Sequence, residues 1–165
     1  MHTAAMQLSG WSLRGRRCVA NGDSWAAFVP PERERVTTKG ALLAIAEGYE
    51  ADGTELPWLG RQVLQALGRS YDAGWGDRAA GLLAAAQEAN RLVLSCRRHR
   101  GLSGVFAGLI AAVATPDEAV LAQVGDGQAF LLRGRQVSPV FPWSRRTAGL
   151  GQWQRQARRV LDAAL

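Results

Sequence analysis

The 165-residue chain carries its apolar residues in short runs toward both ends and on helical stripes in the middle. Residues 7–13 and 25–29 read as two strands around the turn Asn21-Gly22-Asp23-Ser24. Residues 30–38 are polar and charged and read as a loop. The run Ala41-Leu42-Leu43-Ala44-Ile45-Ala46 reads as a short strand buried on both faces. Residues 50–57 read as a second loop, holding Ala51-Asp52-Gly53. Two helices follow. Gly60, Leu64, Leu67 and Tyr71 share one face of the first, with Val63 beside them and Gly74 and Gly76 at its end. Leu82, Ala86, Ala89, Val93 and Cys96 form the stripe of the second, and Asp77 is its expected N-cap. Arg97, Arg98, His99 and Arg100 occupy its last turn, where cations suit the helix dipole.

Three further strands are expected over 105–114, 119–124 and 129–133, the first two joined by the turn Thr115-Pro116-Asp117-Glu118. Gly134-Arg135 turns the chain into a partner strand over 136–140. Residues from about 151 to 165 read as a final helix, with Trp153, Ala157, Val160, Leu161 and Ala164 on one side. Strands, then two helices, then more strands is an α+β order, here in a single domain spanning 1–165 without internal repeats.

Composition narrows the class. With 47% hydrophobic residues the chain can build a core. No apolar run approaches the roughly 18–20 residues of a membrane span. Residues 1–10 lack the long apolar core of a signal peptide, so the expected location is cytoplasmic. Cys18 and Cys96 fit no metal spacing and read as reduced thiols. The net charge is +6, and Lys39 is the only lysine. Arginine suits bidentate contacts to phosphate and carboxylate. The clusters at 97–100 and 155–159 read as solvated helix faces, and no aromatic-interleaved basic stripe points to nucleic acid. His2 and His99 read as unconstrained, and the six tryptophans as core or interface anchors.

Three acids change the picture. Asp126 sits in Gly125-Asp126-Gly127 after an apolar run, Asp23 follows Gly22, and Glu47 ends a strand beside Gly48. Acids at strand ends beside glycines fit a cleft that offers oxygen ligands to a metal. Each also has a simpler reading. Asp126 serves equally as a turn residue, Asp23 as an Asx-turn acceptor, and Glu47 as a solvated or ion-paired acid.

The order and spacing of these pieces resemble the type 2C, metal-dependent protein serine/threonine phosphatases. Residues 15–23, Gly-Arg-Arg-Cys-Val-Ala-Asn-Gly-Asp, are similar to that family's opening arginine and N-[EQ]-D motif. Residues 38–48 look like its apolar strand ending in A-D-G, with Glu47 for Asp. Ala89-Asn90 matches an A-N pair on the second helix, 101–108 a glycine-rich strand start, and 125–133 a G-D-[SA]-R-x-Y-x-x-R hairpin. The resemblance covers about 9–145.

It implies an incomplete α-β-β-α sandwich, and hydrolysis of phosphoserine or phosphothreonine in a protein substrate. The family holds two Mn²⁺ or Mg²⁺ ions, about 3.5–4 Å apart, around a shared water. By resemblance Asp23, Glu47, Gly48 and Asp126 are the metal-side residues. Arg17, or Arg16 one residue earlier, binds phosphate, and Asp23 also counts among the catalytic residues. The family's late D-G and D-N motifs have no counterpart, because Asp162 is the only acid after Asp126. The expected function is therefore a phosphatase-like domain with weak or lost catalysis. The alternatives are a non-catalytic pseudophosphatase that acts as a signalling module, and a truncated gene product. The sandwich would be short of strands, and either a partner chain or the final helix would have to cover its open edge.

Overall fold

The computed structural model describes residues 7, 9, 12–14, 17–19, 25–74, 76–99, 104–125, 127–141, 150 and 160–164, with the backbone alone at 12–14, 17–19, 33, 99 and 160–164. Asp23 and Asp126 lie outside the described residues.

β1 (Ser12–Arg14) and β2 (Arg17–Val19) form a two-stranded antiparallel sheet. β3 (Trp25–Phe28) leads to α1 (Arg33–Thr38), and β4 (Ala41–Tyr49) leads to α2 (Pro57–Ala73) and α3 (Arg78–His99). β5 (Phe106–Ala114) and β6 (Glu118–Val124) follow, then the hairpin of β7 (Phe130–Arg133) and β8 (Gln136–Pro139), then β9 (Val160–Ala164). The main sheet is antiparallel in the order β3-β4-β5-β6-β9.

The helices form where the stripes predict them. Pro57 stands in the first turn of α2, where its missing N–H costs nothing. The Asp77 carboxylate accepts the Ala80 N–H at 2.9 Å, the N-cap bond expected for α3. Both helices pack on one face of the main sheet and on each other. Leu42, Leu59, Leu67, Leu82, Leu109, Val63, Val93 and Val113 are fully buried there.

Three expectations are corrected. The stretch 30–38 is not all loop. α1 forms there because Arg35 reaches Glu32 on its own turn and Asp72 on α2, at 3.6 and 3.1 Å. With Val36 as its only large apolar residue, α1 carries no stripe to read. β4 is not buried on both faces either. Leu42, Ala44 and Ala46 face the helices, whereas Ile45, on the other face, is 49% exposed. Residues 160–164, expected as the end of a helix, are strand β9, paired with β6 from Glu118↔Ala164 to Ala122↔Val160. The unpaired backbone groups of β6 are the physical reason. A strand satisfies them, and a helix laid across the edge does not.

Lys39 ties α1, α2 and β4 together. Its Nζ donates to the Asp72 and Gly74 carbonyls at 2.5 and 2.9 Å, at the end of α2 where a cation suits the helix dipole. The Tyr71 hydroxyl donates to the Lys39 carbonyl at 2.6 Å. Burial pushes the Tyr71 phenol up to about 12; Arg78 opposes this shift and Asp77 adds to it. Burial also holds the Lys39 ammonium below its usual range, which Asp72 partly opposes.

The Tyr71 shift has a consequence for alkaline stability. The folded protein keeps the phenolic proton that the unfolded chain loses near pH 10. Tyr71 therefore stabilises fully below about pH 10, and this contribution is lost as pH rises through about 12. A rise from about 10 to about 12 is worth at most about 2.7 kcal/mol, and solvent screening of the half-buried phenol brings the expected loss to roughly 1–2 kcal/mol. Urea titrations at rising pH should show this fall in the parent protein and not in Tyr71→Phe. An equally steep fall in Tyr71→Phe would refute the assignment.

Candidate functional site

The face of the main sheet turned away from the helices carries the candidate site. Glu47 on β4 is paired across the sheet with Gly108 on β5. Gly108 has no side chain, so the lane beside Glu47 stays open. The result is a cleft of about 180 Å³, lined by Ile45, Glu47, Tyr49, Gly108, Ile110 and Gly127.

The Gly125-x-Gly127 turn closes one end. Gly125 has φ +96°, and a Cβ there would come within 3.1 Å of the Gly108 Cα. A Cβ on Gly127 would meet the Ile110 side chain at 2.6 Å. Gly125 is thus required by its positive φ and its close approach to the Gly108 backbone, whereas at Gly127 the end of the Ile110 side chain could shift to admit a Cβ. The Gln123 amide, reaching up from β6, donates to the carbonyls of Gly125 and Gly127 at 3.3 and 2.5 Å. It pins the two residues that flank Asp126. Gly127, next in the chain to Asp126, lines the same cleft as Glu47.

The expected residues differ in their surroundings. Glu47 is exposed, and the Tyr49 hydroxyl donates to its Oε2 at 2.5 Å. Tyr49 in turn stacks on Phe106 with ring centroids 5.6 Å apart. Gly48 points to the opposite, buried side. Its carbonyl accepts the Leu56 N–H at 2.7 Å, and a Cβ there would lie 2.6 Å from the Leu59 Cβ. Gly48 therefore lets the first turn of α2 pack flush against β4. Arg17 lies on β2, opposite Arg14 in the β1–β2 pair. Asp52, in Ala51-Asp52-Gly53, closes an exposed turn. Its carboxylate accepts the Thr54 N–H at 2.9 Å, and that bond holds its pKa below the usual range.

Tyr49, Gly108 and Gln123 were not singled out from the sequence. Gly108 carried a readable signal, a glycine inside an otherwise apolar strand. Tyr49 and Gln123 carried none, since their roles depend on the register across the sheet.

Two dications need several oxygen donors. Among the described residues the cleft offers one carboxylate, already hydrogen-bonded, and the neighbouring carbonyl of Gly48 is bonded to α2. No group of three or more His, Cys, Asp or Glu among the described residues could hold a metal ion. The described residues therefore do not fit a two-metal centre by themselves. No described helix is long and apolar enough to cross a membrane.

No protein-family description matches the sequence, and no curated protein matches it. Solved structures do match. The catalytic domain of the serine/threonine protein phosphatase PstP, in complex with two manganese ions, is similar with a TM-score of 0.54 at 23% identity, over 74% of this chain and 50% of that one. A bacterial serine phosphatase is similar with a TM-score of 0.65 at 15% identity, over 85% and 70%. The type 2C phosphatase domain of SpoIIE from Bacillus subtilis is similar with a TM-score of 0.59 at 16% identity, over 89% and 38%. The chain thus spans about half the length of the PstP domain it matches. Its helix-backed antiparallel sheet, incomplete as a sandwich, has the fold of the type 2C metal-dependent serine/threonine phosphatases.

Proposed function

We propose that this single domain is a serine/threonine phosphatase-like module that binds a phosphorylated protein, with metal-dependent hydrolysis weak or lost in this chain. One observation carries the reading. The Glu47 carboxylate in the cleft is engaged by Tyr49, and the adjacent Gly48 carbonyl is engaged by Leu56. In the same reading Arg17 binds the phosphate, and Asp23 and Asp126 belong to the acidic set. Mn²⁺ or Mg²⁺, where bound, supplies an activated water. The role is then one of signalling by binding. A cytoplasmic location belongs to the proposal, and the buried, unbridged Cys96 suits a reducing compartment.

The test is hydrolysis of p-nitrophenyl phosphate at high protein concentration with Mn²⁺, beside an EDTA control and Asp23→Ala. The expected rate equals both controls. In parallel, Arg17→Ala should weaken binding of a phosphoserine peptide by about tenfold, the loss of one charged phosphate contact. Turnover that needs Mn²⁺ and disappears in Asp23→Ala would overturn the non-catalytic reading. A second reading is that further residues complete the site. Turnover that arises only on addition of a second polypeptide carrying the late aspartate motifs would support it.

A further inference from the structure

Among the described residues Glu47 is the one acid that lines the cleft, and no cation there pairs with it. The ion pairs among the described residues engage Glu32, Asp72, Glu88 and Glu118, and none engages Glu47. Its contact is the Tyr49 hydroxyl, which donates to Oε2. A carboxylate has about four acceptor sites, so one neutral bond leaves most of its capacity open and its charge unbalanced.

The walls beside it are apolar. Ile45 pairs with Ile110 across the sheet, two residues along from the Glu47–Gly108 pair and on the same face. Ile45 is half exposed, and Tyr49 lines the cleft with its ring stacked on Phe106. The side chain missing at Gly108 leaves a lane from the carboxylate to the two isoleucines. The volume of about 180 Å³ has room for about six waters and lies below the roughly 300 Å³ at which pockets for drug-sized ligands begin. It suits one side chain.

Chemistry decides the occupant. A divalent ion takes about six or more oxygen donors, and the described lining offers one carboxylate. A phosphate is repelled by Glu47. A purely apolar group would cover the charge without pairing it, which is costly. An alkyl guanidinium meets every feature. Its fork pairs with a carboxylate, its plane stacks on aromatic faces, and it is weakly hydrated. Its methylene stem lies along apolar surface. We infer that the cleft binds an arginine side chain of a partner protein, with the guanidinium on Glu47, the stem over Ile45 and Ile110, and Tyr49 as the stacking face. Free arginine fits less well, because its α-carboxylate would find no cation in the described lining. The inference does not depend on phosphate binding at Arg17 or on hydrolysis.

Ile45 and Ile110 are the chain's only isoleucines, so labelled isoleucine methyls report on this cleft alone. The probe is an acetylated, amidated peptide with one arginine among glycines and serines. It is titrated into the full chain carrying ¹³C at the isoleucine methyls. The expected result is a saturable shift of both resonances, with a dissociation constant in the millimolar range or tighter. The same peptide with citrulline, which keeps the shape and loses the charge, should bind about tenfold more weakly. Glu47→Gln should weaken binding of the arginine peptide by about tenfold as well. Gly108→Val should abolish it by filling the lane. The Cβ added at Gly108 would lie 3.9 Å from its nearest contact, the Val124 carbonyl oxygen, so this variant should keep the parent unfolding midpoint.

No shift with the arginine peptide would overturn the inference. So would equal binding of the citrulline peptide, or unchanged affinity in Glu47→Gln. Tighter binding of free arginine than of the peptide would replace the partner with a small-molecule ligand. Methyl shifts that grow with protein concentration alone, and vanish in Glu47→Gln, would replace it with a second copy of the chain. Loss of both signals in micromolar Mn²⁺, restored in Glu47→Gln, would make the cleft a metal site instead. The peptide carries no phosphate, so its failure to bind would leave the phosphoserine reading standing.

Discussion

Replacing Gly48 with alanine is expected to cost about 2–4 kcal/mol of folding stability, at or above the usual range for overpacking. The added Cβ would lie 2.6 Å from the Leu59 Cβ and 2.8 Å from the Leu56 carbonyl oxygen. Neither obstacle is the far end of a flexible side chain. One is backbone, and the other is the first carbon of a fully buried leucine on α2. Relief requires α2 to move off β4, which would stretch the bond from the Leu56 N–H to the Gly48 carbonyl. Urea unfolding of the variant measures the cost. A loss below about 0.5 kcal/mol would mean that Gly48 is not a packing glycine. The result bears on function as well. Any loss of activity in Gly48→Ala would first report damaged packing, so it could not serve to assign a metal-binding carbonyl. Glu47→Gln, at an exposed position, separates the site from the fold.

Truncating Leu67 to alanine is expected to cost about 2–5 kcal/mol, the transfer term plus the cavity left behind. Leu67 is fully buried in the cluster that joins α2, α3 and the main sheet. α2 packs against α3, β3, β4 and β5, so its buried face has little room to collapse into the gap. Against a total stability of about 5–15 kcal/mol, that loss would leave part of the population unfolded at physiological temperature. Leu67→Met should cost less than about 1.5 kcal/mol, because volume is nearly kept. Gln65→Ala, two residues away on the exposed side of the same helix, should be close to neutral. Equal losses at 65 and 67 would refute the placement of this helix face.

The helical stripes were legible because both halves of the signal are local. The apolar period of α2 and α3 is written in neighbouring residues, and so is the Asp77 cap. β3, β5, β6 and the β7–β8 hairpin were legible for the same reason, as apolar runs bounded by Gly, Pro and Asp. α1 was not, because its supports are charged contacts, one of them to Asp72 on another helix. Two parts of the candidate cleft were legible. Glu47 and the glycines around Asp126 stood out, and the cleft does join Glu47 to Gly127. What fills the space around Glu47 was not legible. Gly108 lies opposite it only through the β4–β5 register, and Gln123 reaches the turn from a third strand.

The sequence by itself determined the α+β order, the two core helices, the β5–β6 and β7–β8 hairpins and the positions of the acids. These follow from period, turn chemistry and caps, which act over a few residues. The tertiary structure alone decided that 160–164 is a strand, that one face of β4 stays open, and that Gly48 serves packing rather than facing the cleft. Each of these depends on a partner distant in sequence. For β9 that partner is the unpaired edge of β6. For β4 it is the helical layer, which covers only one side of the sheet, and for Gly48 it is the first turn of α2. The local pattern of a segment states what it can form, and the backbone groups and surfaces brought beside it select among those forms.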